Sequence, residues 1–362
     1  MNKSNSIIIL GGGMVGSAIA RDLQEFGYDV TVADWSDKVQ ANLEPHGIRF
    51  IKIDLLNKDL VSQTIEYFNL VIGAVPGFMG YEILKTVIEA RKNIVDISFM
   101  PEDCTDFNNL AKKKGVTVIA DAGVAPGLSN LMFGKALSDF DTLHSAKCYV
   151  GGLPQSPQPP WLYKSVFSPI DVIEEYTRPA RIVQDGEMVI RPAMTDIEQI
   201  EFEGIGKLDA FNSDGLRSLL DLPIANMVEK TLRYPGHIQQ IIEMRDDGLF
   251  EPDKIELTSK ELINDWTPLE NDFDQTIMRL EFSGIRNGNK IIETLDLFDR
   301  YDEDKKISSM ARTTGFTCSA VAHMLLSGSF NKSGVFNLES FGDQPEAIDR
   351  ILGYLSDRNI QI

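Results

Sequence analysis

The chain has 362 residues, 43% of them hydrophobic, with 35 lysines and arginines against 54 acids and a formal net charge of −19. That length suits two domains with sizeable cores. The charge argues against the basic footprint of a nucleic-acid binder and weakly steers cationic ligands inward. No stretch approaches the roughly 18 uninterrupted apolar residues of a membrane span. Cys104, Cys148 and Cys318 lie far apart, with no CxxC and no clustered histidine, so neither a disulfide framework nor a metal site is expected. The expectation is a soluble cytoplasmic protein with no nucleic-acid, membrane or metal partner.

Residues 6–10, SIIIL, are the β-branched run of a strand buried on both faces. Gly11, Gly13 and Gly16 follow at GxGxxG spacing. From Met14 onward apolar residues recur at helical spacing (Val15, Ile19, Leu23, Phe26), and Gly27 suits the helix end. A secretory signal is the competing reading of this apolar stretch, but its centre is glycine and the helix runs straight through the small residues SAIA. DVTVAD is a second strand ending on Asp34, about 20 residues past the glycines, where a ribose-binding acid belongs. Gly11 makes the tight turn, Gly13 admits a pyrophosphate, and Gly16 lets helix and strand pack closely. The free amides of the helix start, around Met14 and Val15, face the anion. Asp34 can accept both ribose hydroxyls and repels a 2′-phosphate, so NAD is expected over NADP. Trp35 either covers the adenine or packs on the surface.

RFIKIDL (49–55) is a third strand, with Asp54 either at the adenine end of the cofactor or capping a turn. NLVIGAVPG (69–77) is a fourth, broken at Val75 and Pro76 on the carboxyl edge where ligands bind in open parallel sheets. NIVDISFM (93–100) and VTVIADAGVAPG (116–127) are two more, with Asp96, Ser98 and Asp121 at their polar tips. Loop capping is the alternative role for both acids. LSNLMFGKAL is a helix whose first amides could hold a substrate carboxylate. After about residue 140 the alternation stops. A strand, a proline-rich loop and two hairpins turned at QDGE and RNGN give a mixed sheet with helices inserted. Helices over 313–328 and 344–359 close the chain. The fold class is α/β: an N-terminal Rossmann doubly wound parallel sheet (1–125 and 311–362) with an inserted mixed α/β substrate and dimerisation domain (126–310).

The blocks VIGAVPGF, IVDISFM, DAGVAPGLSN, YVGGLPQSPQPPWLYKSVFSPIDVIEEYTRPARI, NSDGLRSLL and KTLRYPGH occur in this order. With them the chain resembles the saccharopine dehydrogenase family over nearly its whole length, and within it is most similar to the lysine 6-dehydrogenase branch. The resemblance implies a homo-oligomer, a dimer or larger, acting on a small amino-acid substrate in lysine metabolism and amino-acid degradation. The implied reaction oxidises C6 of L-lysine with NAD, water then releasing ammonia and 2-aminoadipate 6-semialdehyde. The glutamate-forming saccharopine enzymes carry an acid in the bend where this chain has Ala125, and the chain is short for that branch. Saccharopine or carboxynorspermidine dehydrogenase is the alternative within enzymes, and a non-catalytic NAD-binding regulator the alternative outside them.

For such a substrate an arginine fork suits the α-carboxylate, Arg217 first and Arg233 second, with a structural or interface arginine as the alternative. The ε-amine must lose a proton, and Lys164, His237 and Asp96 are the catalytic candidates. Lys164 could equally be an exposed loop cation, and His237 could cap a helix. Tyr163 and Asp121 are candidate substrate contacts. Glu174, Glu175 and Asp214 could meet the α-ammonium, and the sequence does not rank them.

Overall fold

The computed structural model describes residues 5–269 and 271–362. The chain divides into two compact units, Met1–Lys135 with Ala311–Asn359 and Ala136–Met310 with Ile360–Ile362.

Among the described residues, the first unit carries strands β1 (Ser6–Leu10), β2 (Asp29–Asp34), β3 (Arg49–Lys52), β4 (Leu70–Gly73), β5 (Asn93–Asp96) and β6 (Thr117–Ile119). A further strand, Gly334–Phe336, adds beside β6, and the seven-stranded order is Gly334–Phe336, β6, β5, β4, β1, β2, β3, parallel throughout. The order reverses between β1 and β4, the switch point at whose carboxyl side ligands bind in doubly wound sheets. The strands contribute Ile8, Leu10, Val71, Ile94 and Val118 to a buried cluster, against Val61, Ile65, Leu84 and Val87 from the covering helices. Each fully buried aliphatic side chain contributes about 1.5–3 kcal/mol.

The glycines of the β1 turn do three different things. Gly11 holds φ +99 against the Ala74 backbone, and a carbon added at Gly16 would lie 2.1 Å from Gly11 O. Helix α1 (Met14–Glu25) therefore crosses β1 at backbone contact. A carbon on Gly13 would meet nothing within 4 Å.

The second unit holds β7 (Thr142–Pro154), β8 (Ala180–Gln184), β9 (Glu187–Arg191), β10 (Glu198–Phe202), β11 (Gly206–Asn212), β12 (Asn226–Arg233), β13 (Asp274–Arg286) and β14 (Asn289–Arg300). Their order is β10, β11, β12, β7, β13, β14, with β8 pairing β12 and β9. Among the described strands of this second sheet only the β12–β7 pair is parallel, so the sheet is mixed. Both expected hairpins form. Asp185 and Gly186 turn one at φ 52 and 84, and Asn287 and Gly288 the other at φ 52 and 74, the paired positive angles that suit a twisted hairpin. The architecture is α/β with a Rossmann sheet and a mixed sheet, as the sequence indicates.

Four strands were not read from the sequence: Gly334–Phe336, only 3 residues long, and β10, β11 and β12. Strand β12 carries buried Glu229, Lys230 and Arg233, which hide its alternation. The fifth and sixth strands also stop short of the expected 93–100 and 116–127. The Asp96 carboxylate takes the Ser98 N–H at 2.8 Å and bends the chain away, and Asp121 stands at φ +53.

One side of the mixed sheet packs Phe211 against Val172, Ile173 and Tyr176, with Ile238, Ile241, Leu262 and Trp266. A charge runs through this cluster. Arg233, 2% exposed, donates through Nε to the Tyr176 hydroxyl at 2.8 Å, through Nη1 to Leu232 O at 2.9 Å and through Nη2 to Glu175 at 2.7 Å. Tyr163 stacks beneath the guanidinium with its centroid 4.5 Å away. The Trp161 carbonyl, 2.7 Å from His237 Nδ1, can only accept, so that nitrogen carries the proton. Nε2 then accepts from the Tyr176 hydroxyl at 3.0 Å. Burial, with Arg233 adding, pushes the His237 imidazole down to about 3.

Three predictions rest on these contacts. Gly13→Ala folds like the wild type but binds dinucleotide more weakly, whereas Gly16→Ala lowers the midpoint of thermal unfolding; equal unfolding midpoints for the two variants would contradict the crossing geometry. Tyr176→Phe strands both the Arg233 and His237 partners, a loss of about 1–3 kcal/mol in urea unfolding. Because the folded His237 pKa lies below its unfolded value, stability is intact above about pH 6.5 and declines as pH falls toward 3. His237→Gln flattens that decline, which unfolding at stepped pH measures.

Candidate functional site

In the first unit the expected cofactor residues gather at the carboxyl edge of the parallel sheet. Asp34, 8% exposed, ends β2; its Oδ2 accepts the Gly12 N–H at 2.7 Å and its Oδ1 the Ser36 N–H at 2.9 Å. Each oxygen keeps a lone pair for a hydroxyl. Met14 opens α1 half exposed, no side chain caps that helix, and Gly13 leaves the space above its first amides clear. Trp35 is 73% exposed beside Asp34, and Lys52, which pairs with Asp34 across β2–β3, reaches Asp37. These residues fit a dinucleotide: open backbone at the pyrophosphate position and a carboxylate at the ribose position.

Asp54 lies further out and accepts the Leu56 N–H at 3.0 Å, which is turn capping. Val75 is buried and Pro76 exposed, directly before the helix Gly77–Glu89. Asp96, fully buried, and Ser98, 2% exposed, bond to each other through Ser98 N–H and Oγ, and a carbon on Gly73 would strike the Asp96 carboxylate. Asp121, 3% exposed, accepts from Asn337 Nδ2 at 3.4 Å. The helix Leu128–Asp139 does not offer its first amides. Leu128 N–H goes to Gly123 O at 2.8 Å, Ser129 N–H to Val124 O at 3.0 Å, and Gly127 N–H to the Asn130 side chain at 3.0 Å.

In the second unit the structure gathers Arg233, His237 and Tyr163 into one place, the core. The bonds of Arg233 and His237 are made within it, and Tyr163, whose ring lies under the guanidinium, is held protonated by burial. Lys164 stands apart, with its ammonium on Asp265 O at 3.0 Å, Thr267 O at 3.3 Å and the Asp272 carboxylate at 3.7 Å. It ties down the end of the helix Ile255–Trp266, where carbonyls favour a cation.

Arg217 lies elsewhere, 8% exposed and at φ +48, the first residue of a short 3-10 turn. Non-glycine residues in that region are uncommon and gather at functional sites. Arg178 at the end of the helix Pro169–Thr177 is coupled to it. Burial lowers the Arg178 guanidinium, Asp214 opposes that, and Arg217 reinforces it. Arg178 bonds to Glu174, and Arg181 forms a two-pronged pair with Asp214 at 2.8 Å per prong. Arg178 and Glu229 are absent from the sequence-based candidates. Glu229 is 6% exposed and pushed up to about 8, by burial first. A carboxylate with that titration is a signal that only tertiary structure creates. Among the described residues no group of histidine, cysteine, aspartate and glutamate could hold a metal ion, and no helix is long and apolar enough to cross a membrane.

Comparison with known proteins agrees with this geometry. Residues 7–119 match the saccharopine dehydrogenase NADP binding domain and residues 123–360 the saccharopine dehydrogenase C-terminal domain. A Pyricularia oryzae saccharopine dehydrogenase (NADP(+), L-glutamate-forming) is 26% identical over 271 residues, 69% of this chain and 59% of that one. The mitochondrial alpha-aminoadipic semialdehyde synthase of Mus musculus is 23% identical over 293 residues, 73% of this chain and 31% of that one. The chain thus spans less than two thirds of these relatives. The apo saccharopine dehydrogenase (L-Glu forming) of Saccharomyces cerevisiae shares the fold, with a TM-score of 0.80, 98% of each chain covered and 18% identity. The matched domain and the fungal relative carry NADP in their names, where Asp34 leads the sequence reading to NAD. On the extent of both domain matches, the chain belongs to the saccharopine dehydrogenase family and carries its pyridine-nucleotide-binding domain.

Proposed function

We propose that the chain oxidises the ε-amine carbon of L-lysine with NAD, forming 2-aminoadipate 6-semialdehyde and ammonia. The observation that carries the dehydrogenase reading is the turn at Gly11–Gly16 with Asp34 bonded across it to the Gly12 N–H. Ala125 in the bend after the sixth strand supports the smaller substrate, because the conjugate-cleaving branch carries an acid there.

The bound cofactor supplies the hydride acceptor. Gly13 and the first amides of α1 hold its pyrophosphate, and Asp34 orients its ribose and opposes a 2′-phosphate. Lys52, the cation paired with Asp34 across the strands, is engaged by Asp37. Arg217 takes the substrate α-carboxylate, with Asp121 as a further substrate contact. The ε-ammonium must lose a proton before C6 is oxidised. His237 is poorly suited to take it, since its acceptor nitrogen already receives the Tyr176 hydroxyl. Lys164 is tied to the helix end. Asp96, in the same unit as the dinucleotide turn, is the acid kept for that step. The homo-oligomer implied by the family resemblance belongs to the same reading.

Formation of reduced nicotinamide with L-lysine and NAD, and not with saccharopine or with NADP, is the expected result. Turnover of saccharopine alone would establish the second reading, which the names of the fungal relatives favour. Arg217→Lys raises KM for lysine about tenfold with a smaller change in kcat, since an ammonium cannot make the two-pronged contact. Asp34→Ser narrows the preference for NAD over NADP, measured as the ratio of kcat/KM values.

A further inference from the structure

Glu229 lies on β12 among groups that the proposed reaction leaves unused. Its carboxylate Oε2 accepts the Ser213 hydroxyl at 2.8 Å, and the Gly215 N–H donates to the same carboxylate. Its main-chain carbonyl accepts the Ser213 N–H at 3.3 Å. A carbon added at Gly215 would stand 2.4 Å from the carboxyl carbon, so the turn lies directly over the acid. Ser213 also bonds Thr231 Oγ1 at 2.7 Å, which ties the turn to β12 a second time. Two residues past Gly215 the chain reaches Arg217 in its left-handed conformation.

The other acids near this turn have cationic partners: Asp214 has Arg181 and Glu175 has Arg233. Among the described residues no lysine or arginine forms an ion pair with Glu229, and its partners are a hydroxyl and an amide. The groups facing it are Asp214 in the turn, Glu175 on the helix Pro169–Thr177 and Cys148 on β7, with Arg233 further along its own strand. Burial first, and then the two neighbouring acids, disfavour its charge.

We infer that Glu229 is the positioning residue for Arg217, gripping the Ser213–Gly215 turn through its carboxylate and holding that grip most firmly when ionised. The inference rests on Arg217 as the carboxylate-binding group of the proposed reaction. A hydrogen bond to a charged acceptor is roughly twice as strong as a neutral one, so the turn tightens when the proton leaves. With the carboxyl pushed up to about 8, the change falls inside the working range of an enzyme.

The test compares the wild type with Glu229→Gln at saturating NAD and varied L-lysine. The ratio of the two KM values is expected near one at pH 6.5 and about tenfold at pH 9, the size of a charge-assisted bond lost, while the ratio of kcat values stays flat. Titration of lysine itself cancels in these ratios. Hydrogen exchange at the Gly215 amide, followed without substrate, is expected to slow relative to its intrinsic rate as wild type passes pH 8, and not in the variant. Ser213→Ala gives a smaller effect of the same kind and serves if Glu229→Gln folds poorly. A pH-independent KM ratio with unchanged Gly215 exchange overturns the inference. If wild type turns over no lysine, the proposed reaction fails, and the exchange experiment alone judges Glu229.

Discussion

The crossing of α1 over β1 is the contact on which the first unit depends. A backbone oxygen at Gly11 and the α-carbon of Gly16 meet where no side chain fits, and this sets how near the helix start lies to the end of the first strand. From that closeness follow the exposed amides, the clear space at Gly13 and the reach of Gly12 N–H to Asp34 on the next strand. The acid is therefore part of the turn's construction as well as a ribose acceptor. Its two oxygens are aimed by two backbone amides, so its orientation is set before any ligand arrives.

The second unit is organised on a different principle. Its interior contains a guanidinium, a carboxylate, a neutral imidazole and phenols, groups that are costly to bury unless they are paired. Arg233 meets three, and the imidazole stays neutral because a carbonyl fixes the proton on one nitrogen and a phenol occupies the other. Around Arg178, Arg181 and Arg217 the same unit keeps a second set of charges nearer the surface, balanced by Glu174 and Asp214. One set is closed by its own bonds. The other surrounds an arginine in strained backbone.

This contrast explains which parts of the molecule were legible in the sequence. The glycines, the β-branched strand and Asp34 are local features, and spacing alone places them. The hairpins at Asp185–Gly186 and Asn287–Gly288 are local too, because paired positive φ angles call for those residue types. His237, Arg233 and Lys164 were chosen by chemical type, and type says nothing about which neighbours occupy a donor. Tyr176, 57 residues from Arg233 and 61 from His237, holds both. Glu229 was missed for the converse reason. Nothing in a sequence marks one glutamate among many as buried, and the charge that makes it interesting also disguised its strand.

The strand Gly334–Phe336 has a consequence for how the molecule is made. It pairs with β6, and the Thr117 hydroxyl bonds Lys332 O across 215 residues of chain. The β6 edge cannot be paired until residues 334–336 exist, and the residues of the mixed-sheet unit lie between the two in the chain. An open edge of that kind is a template for pairing with other chains. The first unit is thus completed only by residues that follow the second unit in the chain, so the two units cannot be finished one after the other in chain order.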